Sequence, residues 1–225
     1  MPFGGRCSRP ITSCTRASSA SGPPTSPSAS RAGRGRCSTT PSTSTGSRYR
    51  LEVALHTLVQ LPDARLAVSG RLVSDPRPLV ERLRVAERVE FTGRYAQTDA
   101  PELFRRAHVL LHTKVKDPCP SAVIEAMACG LPVVYAASGG TVELVGDEAG
   151  IGVPHPDGWD RDEPPEPAAF AEAVARTLAD RERLSAAARR RAVERFSLGP
   201  WLDRHAELFA ELTASGPRAR SSRTR

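Results

Sequence analysis

Lysine is almost missing from this chain. Only Lys114 and Lys116 occur, against 30 arginines, a skew that points to a GC-rich coding sequence more than to a function. Long apolar runs are missing too. No stretch approaches the length of a membrane-spanning helix, and the N-terminus lacks the apolar core of a signal peptide, so a cytoplasmic protein is expected. Cysteine is scarce and unpatterned. Cys7, Cys14 and Cys37 fall in the first 48 residues and only Cys119 and Cys129 in the rest, at a spacing that fits no zinc site. A reduced protein without disulfides and without a bound metal follows.

Acidic residues are absent from residues 1–48, which carry seven arginines. That segment and the last eleven residues, SGPRARSSRTR, hold the surplus behind the net charge of +7. Between them lies a slightly acidic body with 21 basic and 25 acidic residues. Basic charge confined to tails is poor support for a nucleic-acid groove, and no nucleic-acid partner is expected. Residues 1–48 also lack Val and Leu altogether, while 19 of them are Ser or Thr. Such a composition cannot bury enough apolar area to offset the entropy of ordering. A disordered arm, an Arg/Ser-rich transit peptide and translation from a wrong frame all give this texture, the last most simply. Residues 215–225 read as a basic disordered tail.

What is present begins abruptly at Tyr49, and residues 49–214 read as one domain. Leu51, Ala54, Leu55, Leu58 and Val59 share one helical face. Short β-type runs follow at 64–71, 88–94, 108–113, 132–137 and 150–154. They are separated by helical patterns around Leu79–Val85, at 101–107 (with Asp99 or Thr98 as cap), from Ser121, and at TVELV. Strands alternating with helices at short spacing predict an α/β fold, a doubly wound parallel sheet covered on both faces. After Pro154 the pattern is wholly helical. Three amphipathic segments cover 167–180, 181–196 and 200–213, with solvated arginine faces, and Trp159 and Trp201 read as packing anchors.

One stretch organises the rest: DPCPSAVIEAMACGLPVV, residues 117–134. Asp117 and Glu125 bracket seven residues. Ser121 reads as the N-cap of a helix, Gly130 as its C′ stop, and Pro132 forbids continuation. A helix start beside two carboxylates suits a ligand that is both anionic and rich in hydroxyls, and a sugar nucleotide is one. In open α/β sheets ligands bind beyond the carboxyl ends of the strands. Here those ends carry Gly70 and Arg71, Thr92 to Arg94, the 113–121 loop, and the Ser138–Gly139–Gly140 turn. Cys119 reads as an inert thiol and Cys129 as a small buried residue; His112 reads either as a core or rim histidine or as facing the ligand, and Lys114 and Lys116 either as exposed loop lysines or as partners of a diphosphate.

This string of motifs (acidic, seven residues, acidic, then EAMACGLPVV, GG and ELVGD) resembles the C-terminal, donor-binding half of retaining GT-B glycosyltransferases of the family-4 type. The resemblance covers about residues 50–213. It implies that Glu125 hydrogen-bonds the ribose of a nucleotide. Asp117, standing where that family usually has Glu, would contact hydroxyls of the transferred sugar; the pair are the candidate catalytic residues. Backbone N–H groups of Ser121, Ala122 and Val123, following Pro120, would meet the sugar and diphosphate. Phe91, Thr92 and Gly93 would lie near the base, with Gly70 and Arg71 close to the donor. Implied with these are transfer with retention through an oxocarbenium-like transition state, a nucleoside diphosphate sugar as donor substrate, no cofactor or metal, and an unknown acceptor. A peripheral membrane contact is left open.

Two parts of such an enzyme are not legible: an acceptor domain, and the central first strand of the sheet with its basic loop. An N-terminally truncated chain is therefore expected, with two unpaired internal sheet edges and a compromised fold. A sugar-nucleotide binding remnant without transfer, and a different nucleotide-binding doubly wound protein, are the alternatives.

Overall fold

The computed structural model describes residues 11–15, 50–72, 74–156 and 163–214. Its centre is a six-stranded parallel sheet built from β1 (Ile11–Thr15), β2 (Leu66–Gly70), β3 (Val89–Gly93), β4 (Leu110–His112), β5 (Val133–Ala137) and β6 (Gly150–Pro154). The strand order is β3-β2-β1-β4-β5-β6. The doubly wound α/β architecture expected from the alternating pattern is therefore present.

The first strand is present as well, which corrects the expectation that it is missing. β1 pairs along its whole length with β2, from Ile11 opposite Leu66 to Thr15 opposite Gly70, and on its other side with β4 through Thr12–Leu110 and Ser13–Leu111. The internal edges expected to lie bare are thus both occupied. A five-residue strand inside a Ser-, Arg- and Pro-rich segment leaves no trace in composition. Three of its residues are nonetheless β-branched, and two wholly buried neighbours with backbone donors and acceptors to satisfy supply the context that decides it. The remainder of the segment 1–48 and the tail 215–225, like Trp159, lie outside the described residues.

Helices cover both faces. On one, α1 (Leu51–Val59), α2 (Arg77–Arg82) and α6 (Pro167–Ala179) pack Leu55, Leu58, Val80, Phe170 and Val174 against Val68, Val109, Leu111, Val134 and Ala136. On the other, α3 (Ala100–Arg105), α4 (Ser121–Ala128) and α7 (Arg181–Phe196) pack Phe104, Val123, Met127 and Ala188 against Leu110, Val133 and Tyr135. Val109 and Leu111 facing one way while Leu110 faces the other is the two-residue period of a strand buried on both sides. A short α5 (Thr141–Val145) follows β5. Asp99 precedes α3 without a side-chain cap bond.

The last helix, α8 (Leu198–Ala214), differs from expectation. It buries none of its residues, and Leu198, Trp201, Leu202, Phe209 and Leu212 are all exposed. Trp201 is not a packing anchor: its ring stacks on His205 of the same helix, centroids 3.8 Å apart.

Candidate functional site

All strands run the same way, so their carboxyl ends form one rim. The order reverses between β1 and β4, which places the crevice of this rim directly beside the loop that leaves His112. That loop, residues 113–120, delivers the chain to α4. The helix starts at Ser121 because Pro120, at φ −74° and ψ 100°, cannot continue it backwards. Pro120 therefore occupies the cap position, and Ser121 is the first helical residue rather than the N-cap. Pro120 offers no side-chain acceptor as a cap.

At the other end the sequence signal holds. Gly130 takes φ +75°, its N–H donates to the Met127 carbonyl at 2.8 Å, and the Leu131 N–H donates to Ala126 at 2.9 Å. These are the paired bonds of a Schellman stop.

On α4, Ala122, Val123, Ala126 and Met127 face the core, which leaves Ser121 and Glu125 half-buried on one outward face, one turn apart. Glu125 thus stands at the rim next to the helix start. Val123 contributes less than expected, since its N–H already donates to the Pro120 carbonyl at 3.0 Å. Ala122, whose N–H has no i−4 partner inside the helix, is the helix-start donor nearest the loop.

Asp117 is buried, its side chain 7 % exposed. Its Oδ2 lies 2.9 Å from the Lys114 ammonium and 3.6 Å from Nε2 of His112. Burial, opposed by Asp117 and assisted by Lys114, pushes the imidazole down to about 4, so His112 is neutral near pH 7 and Lys114 is the cation of the group. His112 is buried, as the core reading has it, whereas Lys114 is neither a bare loop lysine nor a partner waiting for a diphosphate but the ion-pair partner of Asp117. The i,i+3 spacing from Lys114 to Asp117 is the only trace of the pairing.

The loop is clamped from behind by the turn after β5. Lys116, at φ +54°, donates its N–H to Ser138 Oγ at 2.6 Å, and the Gly140 N–H donates to the Asp117 carbonyl at 2.9 Å. The fit is tight. A Cβ on Gly140 would stand 2.0 Å from the Pro118 carbonyl oxygen, and one on Gly139 2.7 Å from that of Asp117. Two consecutive glycines are what lets one rim loop lie against the other.

Across the crevice, Gly70 ends β2 at φ +103° with Arg71 exposed after it, and Gly93 ends β3 at φ +72°. Thr92 Oγ1 donates to Ser69 Oγ at 2.8 Å, tying these two ends together. Phe91 is 37 % exposed on the edge strand. All the expected rim residues thus share one edge of the sheet. Gly70, Arg71 and Phe91 to Gly93 flank the crevice on the β2–β3 side, while Asp117 to Glu125 flank it on the β4 side. Cys119 is exposed on the loop. Cys129 is only half-buried rather than enclosed. Among the described residues no cluster of His, Cys, Asp or Glu is placed to hold a metal, and no helix is long and apolar enough to cross a membrane.

A doubly wound sheet whose switch-point rim presents a carboxylate pair and a helix start defines a ligand-binding α/β domain. Residues 48–193 match the family model of the glycosyl transferases group 1, and the chain belongs to that family. The D-inositol 3-phosphate glycosyltransferase of Salinispora arenicola (strain CNS-205) is 33% identical over 159 residues, 67% of this chain and 33% of that protein. The chain therefore spans about a third of the length of that curated relative. Among solved structures, the sucrose-phosphate synthase of Thermosynechococcus elongatus superposes with a TM-score of 0.65 at 27% identity, over 75% of this chain and 43% of that one. The Anabaena protein Alr3699/HepE, solved in complex with UDP, shares the fold with a TM-score of 0.62 at 24% identity, covering 72% and 45%.

Proposed function

We propose that this chain binds a nucleoside diphosphate sugar in the crevice beside the 113–120 loop, as the donor half of a retaining glycosyltransferase. The observation that carries the reading is the position of Glu125, one turn into α4 on the outward face it shares with Ser121, at the rim where the sheet order reverses. A carboxylate there accepts two hydroxyl donors, as a ribose presents, and the adjacent helix start favours phosphate oxygens. Asp117 is the secondary contact. Its described partners both approach Oδ2, so Oδ1 is the oxygen that meets a hydroxyl of the transferred sugar. Transfer proceeds through an oxocarbenium-like transition state stabilised by the positioned diphosphate leaving group, and no cofactor beyond the donor is invoked. The protein acts in the cytoplasm, where sugar nucleotides are available.

A thermal-shift panel tests this. UDP-glucose, GDP-mannose and related donors at about a hundred times their Kd would stabilise the chain by about 2.7 kcal/mol, whereas Glu125→Ala would abolish the shift. Stabilisation by ATP or NAD but by no sugar nucleotide would point instead to a different nucleotide-binding protein. An unchanged shift in Glu125→Ala would remove Glu125 from the site.

A further inference from the structure

The opposite end of α4 from the donor loop also borders a cavity, of about 580 Å3, which it shares with the first turns of α7. Three guanidinium groups line it: Arg105 from the last turn of α3, and Arg181 and Arg189 from α7. The one carboxylate in the wall is Glu182. Among the described residues none of the three arginines takes part in an ion pair. Elsewhere Arg77 pairs with Asp75 and Arg183 with Asp180. Here three arginines line one concavity that holds a single carboxylate, so positive charge is in excess by two.

The carbonyls at the end of α4 offset part of the charge of Arg189 and leave that of Arg105 and Arg181. Arg189 donates Nη1 to the Ala128 carbonyl, and Ser185 Oγ donates to Gly130 at 2.5 Å, so the negative end of that helix is already covered. A guanidinium carries five donors in a planar fork, and Arg189 keeps most of its own after this bond. The volume falls within the range of small-molecule pockets, roughly 300–1,000 Å3, and exceeds what a lone oxyanion fills.

We propose that this cavity is a second ligand site that binds the phosphate group of a small phosphorylated metabolite. Arg105 and Arg181 act as the forks on the phosphate oxygens, and Arg189 is both wall and helix cap. Bidentate guanidinium contacts to phosphate are the strong, directional kind. The site does not depend on the donor reading, since it lies at the other end of α4.

Cys129 in the cavity floor serves as a built-in reporter. Its alkylation rate is followed by peptide-resolved mass spectrometry in the full chain, with iodoacetate and with iodoacetamide. Convergent arginines should raise the iodoacetate-to-iodoacetamide rate ratio at Cys129 several-fold over that in Arg105→Ala/Arg181→Ala. Arg189 is left in place to keep the helix cap, and circular dichroism checks that the variant is folded. Inorganic phosphate, pyrophosphate and glucose 6-phosphate are then tested as protectants. Millimolar protection at Cys129 that disappears in the double variant supports the site. Stronger protection by glucose 6-phosphate than by phosphate supports a metabolite ligand, and equal protection would overturn that part in favour of the free ion. No protection, or a rate ratio that the double substitution leaves unchanged, would overturn the site itself.

Discussion

The ammonium of Lys114 lies 2.9 Å from Oδ2 of Asp117, and the carboxylate it meets is almost wholly removed from water. A buried carboxylate that loses its cation retains the desolvation penalty without the compensating attraction, and removing one partner of a buried pair costs roughly 3–5 kcal/mol. Lys114 is itself 19 % exposed, so the lower end of that range, about 3 kcal/mol, is expected for Lys114→Met. The double variant Lys114→Met/Asp117→Asn should recover more than half of the loss. Chemical denaturation of the four proteins of this cycle gives the coupling energy, and additive losses would show that the two residues do not interact.

His112 makes stability depend on pH. In the unfolded chain its imidazole titrates near the ordinary 6.5, while burial holds it at about 4 in the folded chain. Between these values the unfolded state binds more protons. The contribution is therefore complete above about pH 6.5 and is lost as the pH falls towards 4, on the order of 3 kcal/mol in all. Unfolding curves at pH 7.5, 6, 5 and 4.5 should diverge between the wild type and His112→Gln, the variant showing the shallower dependence. Parallel pH profiles would assign the acid sensitivity to other groups.

The Gly140–Pro118 approach leads to a sharper steric prediction. Because an added Cβ would stand 2.0 Å from a backbone oxygen, Gly140→Ala has no rotamer with which to evade the contact, and one rim loop must move. Overpacking of this kind costs about 1–3 kcal/mol. The displaced loop carries Asp117, so the shift produced by sugar nucleotides should shrink along with the melting temperature. Ser138→Ala removes the 2.6 Å bond to the Lys116 N–H without adding bulk, and should weaken binding with a smaller loss of stability. Equal, unperturbed donor binding in both variants would show that the clamp is not needed.

How far the sequence led depends on how local each signal is. β2 to β6 and the helices on both faces were legible because each carries its own periodicity, and the α4 stop was legible because Gly130 and Pro132 act within four residues. Glu125 was singled out by the seven residues between it and Asp117 and by the motif that follows, both local signals. The pairing of Asp117 with Lys114 was not, since the loop's course is fixed by Ser138 to Gly140, more than twenty residues downstream. Ser121 was misplaced by one position because Pro120 takes the cap geometry without offering a side-chain acceptor. Trp201 was misread because an amphipathic stripe reveals an apolar face but not whether this chain covers it. The central strand escaped notice because its five residues have no periodic neighbours, and only the vacancy between β2 and β4 calls for them.

That strand is the most exacting test of the architecture. β1 is hydrogen-bonded on both sides, Ser13 standing opposite Val68 of β2 and Leu111 of β4. Proline has no N–H to give to a ladder and is excluded from central strands, so Ser13→Pro should split the sheet between its two halves. Because among the described residues the two halves share no other strand contact, the effect should be loss of cooperativity rather than a small shift in midpoint. The wild-type chain is expected to unfold in a single transition by circular dichroism and calorimetry, whereas Ser13→Pro should show a broad or biphasic one with exposed apolar surface. Ser13→Val, which keeps the ladder and favours extended backbone, should leave the single transition intact. A Ser13→Pro protein that melts as sharply as the wild type would mean that the sheet closes without β1.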